Sequence, residues 1–90
     1  MLRFSQDQFG KITSLAKAFG ATRLILFSSV QENPETARDL DLACDGVAGW
    51  KLYELAARLE DKINMPLDLV SLTPSTRFTQ LIERNGRRLL

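Results

Sequence analysis

Residues 39–44 read Asp-Leu-Asp-Leu-Ala-Cys, an alternation of period two. A strand with this pattern puts Asp39, Asp41 and Ala43 on one face and Leu40, Leu42 and Cys44 on the other. The leucine row belongs in a core, and the aspartate row faces away from it. The two carboxylates then stand about 6.5–7 Å apart along the chain on the same side. Any fold containing this strand must present acidic groups on one face of a sheet and bury the other.

The segments on either side supply the rest of that sheet. Upstream, residues 22–27 are rich in leucine, β-branched and aromatic side chains and are apolar on both faces after Arg23, the pattern of an interior strand. Asn33-Pro34 marks a turn in the polar loop between the two strands. Before them, Ser5-Gln6-Asp7-Gln8 has capping-box spacing, and Phe9, Ile12, Leu15, Ala16 and Phe19 recur at helical spacing up to Gly20, predicting a helix over residues 6–19.

Downstream of Asp45-Gly46 the period lengthens. Leu52, Leu55, Ala56, Leu59 and Ile63 form one apolar stripe, Glu54 precedes Arg58 by four residues, and Pro66 closes the helix. Residues 67–72, Leu-Asp-Leu-Val-Ser-Leu, read as a third strand with Asp68 as its one charge. Thr73-Pro74 then has the character of an N-cap and first helical position for a last helix carrying Phe78, Leu81 and Ile82 to Asn85-Gly86.

The order is α-β-β-α-β-α, an α/β (α+β) chain with a small mixed β-sheet and helices on one face. The hairpin-like link between the first two strands implies an antiparallel pair, and the helix between the second and third implies a parallel crossover. The aspartates are expected on the other sheet face. Residues 1–90 are expected to form one domain, because a chain of this length holds a single core.

Composition narrows the chemistry. A formal charge of +1, from 12 basic and 11 acidic residues, gives no overall field toward nucleic acid or anionic lipid. Cys44 is the single cysteine, which excludes an internal disulfide and a cysteine-based metal cluster and suggests a reducing, cytoplasmic compartment. No apolar run has the length of a membrane span. With no histidine, the commonest general base is missing, so acid–base or metal chemistry falls to carboxylates, which favour hard ions such as magnesium.

Two like charges converging on a strand face raise each other's pKa unless a cation lies between them. Alone, Asp39 and Asp41 read first as two ordinary acids on a solvent-facing strand edge. Asp68 is flanked by Leu67 and Leu69 and shares its face with Val70 and Leu72, so it is expected to be partly desolvated and to need a cation, either a neighbouring arginine or a metal. If the third strand lies beside the second, the three carboxylates cluster. Such a site can hold two magnesium ions roughly 3.5–4 Å apart, as in phosphoryl and nucleotidyl transfer. Ser28-Ser29, leaving the first strand, is either a plain loop start or a turn whose N–H groups and hydroxyls meet phosphate oxygens.

Taken together, Leu26-Phe27-Ser28-Ser29, the polar loop, Asp39-Leu40-Asp41-Leu42 and Leu67-Asp68-Leu69-Val70 resemble the minimal nucleotidyltransferases (MNT) of the DNA polymerase beta-like superfamily, which include MntA-type antitoxins. That family has an F-G-S turn, a D-x-D strand and a third acid on the next strand, and the resemblance covers about residues 20–72. It implies a polymerase beta palm-like fold in which Asp39, Asp41 and Asp68 are catalytic and hold magnesium. It also implies that Asp68 assists deprotonation of the acceptor hydroxyl and that Ser28 and Ser29 line the nucleotide site, with Ser29 contacting the triphosphate of ATP.

Ser28 departs from the pattern by standing where the family has glycine, so a Cβ meets the phosphate-binding turn. Arg38 departs in the same way, replacing the serine that often precedes the first aspartate. Members of the family commonly serve as antitoxins beside a HEPN-domain ribonuclease toxin, and some transfer AMP from ATP to a toxin tyrosine. The resemblance therefore implies a HEPN-domain toxin as partner and acceptor. The alternative is a catalytically weak or inactive binding module of the same fold that neutralises its partner by occlusion. Trp50, Tyr53 and Ala57 flank the apolar stripe of the second long helix, as a partner surface or as the edge of the core face. The basic tail Arg84-Asn85-Gly86-Arg87-Arg88 reads first as cations at a helix C-terminus rather than as a nucleic-acid site, and Leu89-Leu90 as apolar residues packing back on the fold.

Overall fold

A computed structural model describes residues 6–27, 40–47 and 49–90. Its elements are α1 (Gln6–Ala18), β1 (Arg23–Phe27), β2 (Leu40–Asp45), α2 (Trp50–Ile63), β3 (Leu67–Ser71), α3 (Arg77–Asn85) and β4 (Arg87–Arg88). The strands form one mixed sheet in the order β3-β2-β1-β4. As expected from the connections, β1 and β2 are antiparallel and β2 and β3 are parallel.

Helix α1 lays Ile12 and Ala16 fully into the core, with Phe9, Leu15 and Phe19 packed at its rim. It stops because Gly20 takes φ 94°, which lets Ala21 N donate to Ala16 O (3.0 Å) and Gly20 N to Lys17 O (2.9 Å). These two bonds are the Schellman pattern and satisfy carbonyls the helix leaves open. Helix α2 buries Leu55, Leu59 and Ile63. It ends before Pro66, at Asn64, whose left-handed φ 55° and N–H bond to Glu60 O (2.8 Å) close the last turn. The Glu60 carboxylate then accepts from Leu67 N (3.0 Å) and ties the end of α2 to the start of β3.

These two helices cover the face formed by Leu24, Leu26, Leu40, Leu42, Cys44 and Leu67. A fully buried leucine contributes about 1.5–3 kcal/mol, so this layer provides most of the driving force. Burial pushes the Cys44 thiol up to about 11, with the charge of Asp45 adding to the effect. Cys44 is therefore an inert core residue.

Three features refine the sequence expectation. The helices do not all share one face: Ile82 of α3 packs on the opposite side with Ile25, Ala43 and Leu72. That face carries an apolar patch as well as carboxylates, and the patch requires cover. Secondly, α3 begins after Thr76 rather than at Thr73-Pro74. Thr79 N donates to Thr76 Oγ1 (3.2 Å) and Thr76 N to Thr79 Oγ1 (2.7 Å), a reciprocal capping box with threonine in the place usually held by Glu or Gln. Thirdly, Arg87 and Arg88 leave the helix and form a short strand antiparallel to β1, with Leu26 opposite Arg87 and Ile25 opposite Arg88. Gly86 permits this turn, because a Cβ there would stand 2.7 Å from Ile82 O and 3.0 Å from Leu26 O. Leu89 and Leu90 continue onto the core, with Leu89 N donating to Leu24 O (2.7 Å). Arg84, in the last turn of α3, keeps the helix-terminal placement expected of it.

Candidate functional site

Strand register decides which carboxylates meet. Asp41 lies directly opposite Phe27 on β1 and beside Asp68 on β3. Side chains of laterally paired residues point to the same side, so Phe27, Asp41 and Asp68 form one row across the sheet, with Asp41 and Asp68 about 4.8 Å apart at the backbone. The next row is Ile25, Ala43 and Val70, and beyond it Arg23 stands opposite Asp45.

Helix α3 follows β1 in reverse across these rows. Phe78 meets Phe27, with ring centroids 6.0 Å apart and planes at 85°. Ile82 meets Ile25 and Ala43. Glu83 Oε1 lies 2.9 Å from an Arg23 guanidinium nitrogen. The helix thus lies along β1, and the carboxylate pair lies on the neighbouring β2 and β3. Asp68 is exposed and Asp41 half-buried. The expectation that Asp68 is desolvated is therefore corrected: β3 is the outer strand of the sheet, and solvent reaches Asp68 past that edge.

Asp39, Ser28 and Ser29 lie outside the described residues, as do Arg38 and Ser5. Of the expected acidic triad the described part is the pair Asp41–Asp68. Among the described residues no three acidic or cysteine side chains gather closely enough to hold a metal. Trp50 and Tyr53, on α2, are 68% and 78% exposed, which makes them surface residues rather than the edge of the core. The expected Glu54–Arg58 pair forms at 3.4 Å.

The far row holds a polar cluster that the sequence pattern did not single out. The Asp45 carboxylate accepts from Thr73 Oγ1 (2.6 Å), from the Arg23 guanidinium (3.2 Å) and from Gly46 N (3.1 Å). These bonds hold its pKa below the usual carboxylate range, Thr73 contributing most and Arg23 next. Arg23, held between Asp45 and Glu83, is raised in turn, chiefly by its bond to Asp45. The cluster fastens the start of β1, the end of β2 and α3 to one another. Because the folded pKa of Asp45 is lowered, its contribution to stability is present above the unfolded carboxylate value, about 3.9, and is lost as pH falls through the folded value. The melting temperature of the protein is expected to drop more steeply below pH 4 than that of Asp45→Asn, as thermal melts from pH 2.5 to 7 will record. Parallel curves would remove Asp45 from this role.

No protein-family model matches the chain, and no curated protein matches it. Solved structures share its fold. A toxin–antitoxin MntA complex bearing two Asp-to-Glu replacements two residues apart aligns with a TM-score of 0.79 at 19% identity, over 91% of this chain and 72% of that one. A toxin–antitoxin structure with AMP-PNP aligns at 0.78 and 22% identity, again over 91% and 72%. A third, a tri-AMPylated HEPN toxin of Shewanella oneidensis in complex with an MNT antitoxin, aligns at 0.74 and 22% identity, over 94% and 71%. The resemblance seen in the sequence holds at the level of the fold: the chain has the architecture found in these MNT antitoxin complexes.

Proposed function

We propose that this chain is the antitoxin of a toxin–antitoxin pair and a magnesium-dependent nucleotidyltransferase, transferring AMP from ATP to a hydroxyl of a HEPN-domain toxin. The observation that carries the proposal is the register of Asp41 against Asp68 on one sheet face, with Asp39 two residues before Asp41 in the sequence. The neighbours in fold give it support: one is a complex with an AMPylated HEPN toxin, another includes AMP-PNP, and a third has two aspartates replaced at the spacing of Asp39 and Asp41.

The donor set suits magnesium, since carboxylate oxygens are hard ligands and the exposed Asp68 is open to a hydrated ion. Asp39, Asp41 and Asp68 are the residues to hold two such ions, which, when bound, draw negative charge from the phosphate oxygens. Ser28 and Ser29 follow directly on Phe27, the partner of Asp41, and are assigned to the triphosphate. In the reaction the acceptor hydroxyl oxygen bonds to the α-phosphorus, the bond from that phosphorus to the bridging oxygen breaks, and pyrophosphate leaves. Asp68 takes up the hydroxyl proton. No helix among the described residues is long and apolar enough to cross a membrane. The use of ATP and the buried, reduced Cys44 fit a cytoplasmic setting, and the charge of +1 argues against nucleic acid as the acceptor.

A second reading rests on a different observation. Trp50 and Tyr53 are exposed on α2, which covers the sheet face opposite Asp41 and Asp68. A partner held there is bound away from the carboxylates, an arrangement in which neutralisation needs no chemistry at Asp41 and Asp68. Incubation with labelled ATP, magnesium and the HEPN partner separates the two: label on the partner supports transfer, whereas neutralisation without label supports occlusion. Ser28→Gly is expected to tighten ATP binding in calorimetry if the serine Cβ crowds the phosphates, and unchanged binding would clear Ser28 of that effect.

A further inference from the structure

Phe78 is large, apolar and 55% exposed, at the end of α3 nearest the carboxylate row. Its neighbour Phe27 is half-buried and stands directly opposite Asp41. The two rings meet edge to face at 85°, so at least one flat face of Phe78 is left without an aromatic partner in either arrangement of the T. Leu81, one turn further along α3, is 53% exposed and extends the apolar surface. An isolated exposed phenylalanine needs no explanation. This one adjoins, through a single intervening ring, the carboxylates assigned to a nucleotide's phosphates.

We infer that Phe78 forms the stacking wall for the base of the nucleoside triphosphate whose phosphates lie at Asp41 and Asp68. The inference rests on the nucleotidyltransferase reading and adds to it the position of the base. A triphosphate set over the β2–β3 half of the row has the apolar ring pair on its β1 side, the flank that carries aromatic side chains among the described residues. Phe27 supports Phe78 from within the sheet face through their edge-to-face contact. Stacking on a phenylalanine is tolerant of base identity, because every base presents a π-face. The wall therefore increases affinity for nucleotides over bare phosphates without choosing adenine over guanine.

The test is calorimetric titration of the full chain with magnesium ATP and, separately, with magnesium tripolyphosphate. The wild type is expected to bind ATP more tightly than tripolyphosphate. Phe78→Leu, which keeps an apolar side chain but no ring, is expected to weaken ATP about 10-fold and leave tripolyphosphate unchanged. Phe78→Trp restores ATP affinity and guards against an effect of the leucine on folding. Equal ATP affinity in wild type and Phe78→Leu overturns the wall and leaves the nucleotidyltransferase reading standing, as does an equal loss for both ligands. Binding of neither ligand by the wild type overturns both.

Discussion

In Asp41→Asn, transfer of label from ATP to the partner is expected to fall roughly 10³-fold or more, the loss typical of removing a charged group that acts on the reacting atoms. The substitution is nearly isosteric, so what it takes away is charge at the centre of the row formed by Phe27, Asp41 and Asp68. Asp68→Asn provides the cleaner control. Its side chain is exposed on the outer strand, where substitutions change stability by about 0.5 kcal/mol or less. A comparable loss of transfer with an unchanged melting curve therefore assigns the effect to chemistry rather than folding. Single-turnover rates for the two variants and the wild type, at saturating magnesium, make the comparison. Wild-type rates in both variants would leave the acids without a catalytic role. Full toxin neutralisation by an inactive double variant would favour occlusion.

The largest expected effect on stability comes from Gly46→Ala, which should lower stability by about 3 kcal/mol. Gly46 follows β2 with φ 95°, and a Cβ on it would stand 2.6 Å from Gly20 O and 3.0 Å from Thr22 N. The obstructing atoms are backbone and cannot rotate away. The left-handed conformation costs a residue with a side chain about 1–2 kcal/mol, and the overlap adds about 1–3 kcal/mol. For a domain of this size 1 kcal/mol corresponds to roughly 4–8 °C, so the melting temperature should fall by about 12–24 °C. Gly10→Ala is the matching control: it lies within α1 with nothing within 4 Å of the added Cβ, and should gain about 0.5–1 kcal/mol. A melting temperature for Gly46→Ala within about 4 °C of the wild type would show that the approach of Gly46 to Gly20 and Thr22 is looser than its geometry implies.

Where the sequence was informative, covalent geometry was the reason. Alternation along a strand is set by the backbone, so Leu40, Leu42 and Cys44 could be assigned to the core and Asp41 to the other face from residues 39–44 alone. The parallel placement of β3 followed from the helix before it, and with it the meeting of Asp41 and Asp68. The remainder depends on contacts distant in sequence. Strand β4 is two residues long and exists through pairing with β1, which no local pattern of Arg87-Arg88 encodes. Thr73-Pro74 carries a stronger helix-start signal than Thr76, yet the reciprocal Thr76–Thr79 bonds set the boundary. Phe27 read simply as a strand residue. Its role beside Asp41 depends on the course of α3, and that course follows from an apolar patch shared by Ile25, Ala43, Leu72 and Ile82.

Trp50 is the one tryptophan in the chain, 68% exposed, and it sits on the helix layer that the sheet separates from Asp41 and Asp68. The protein thus carries a built-in optical probe of one side only. Its emission should resemble that of indole in water whether or not nucleotide is bound, and should shift to the blue only when another molecule covers α2. A single fluorescence titration can therefore distinguish a partner gripped from behind the sheet from one presented to its acidic face.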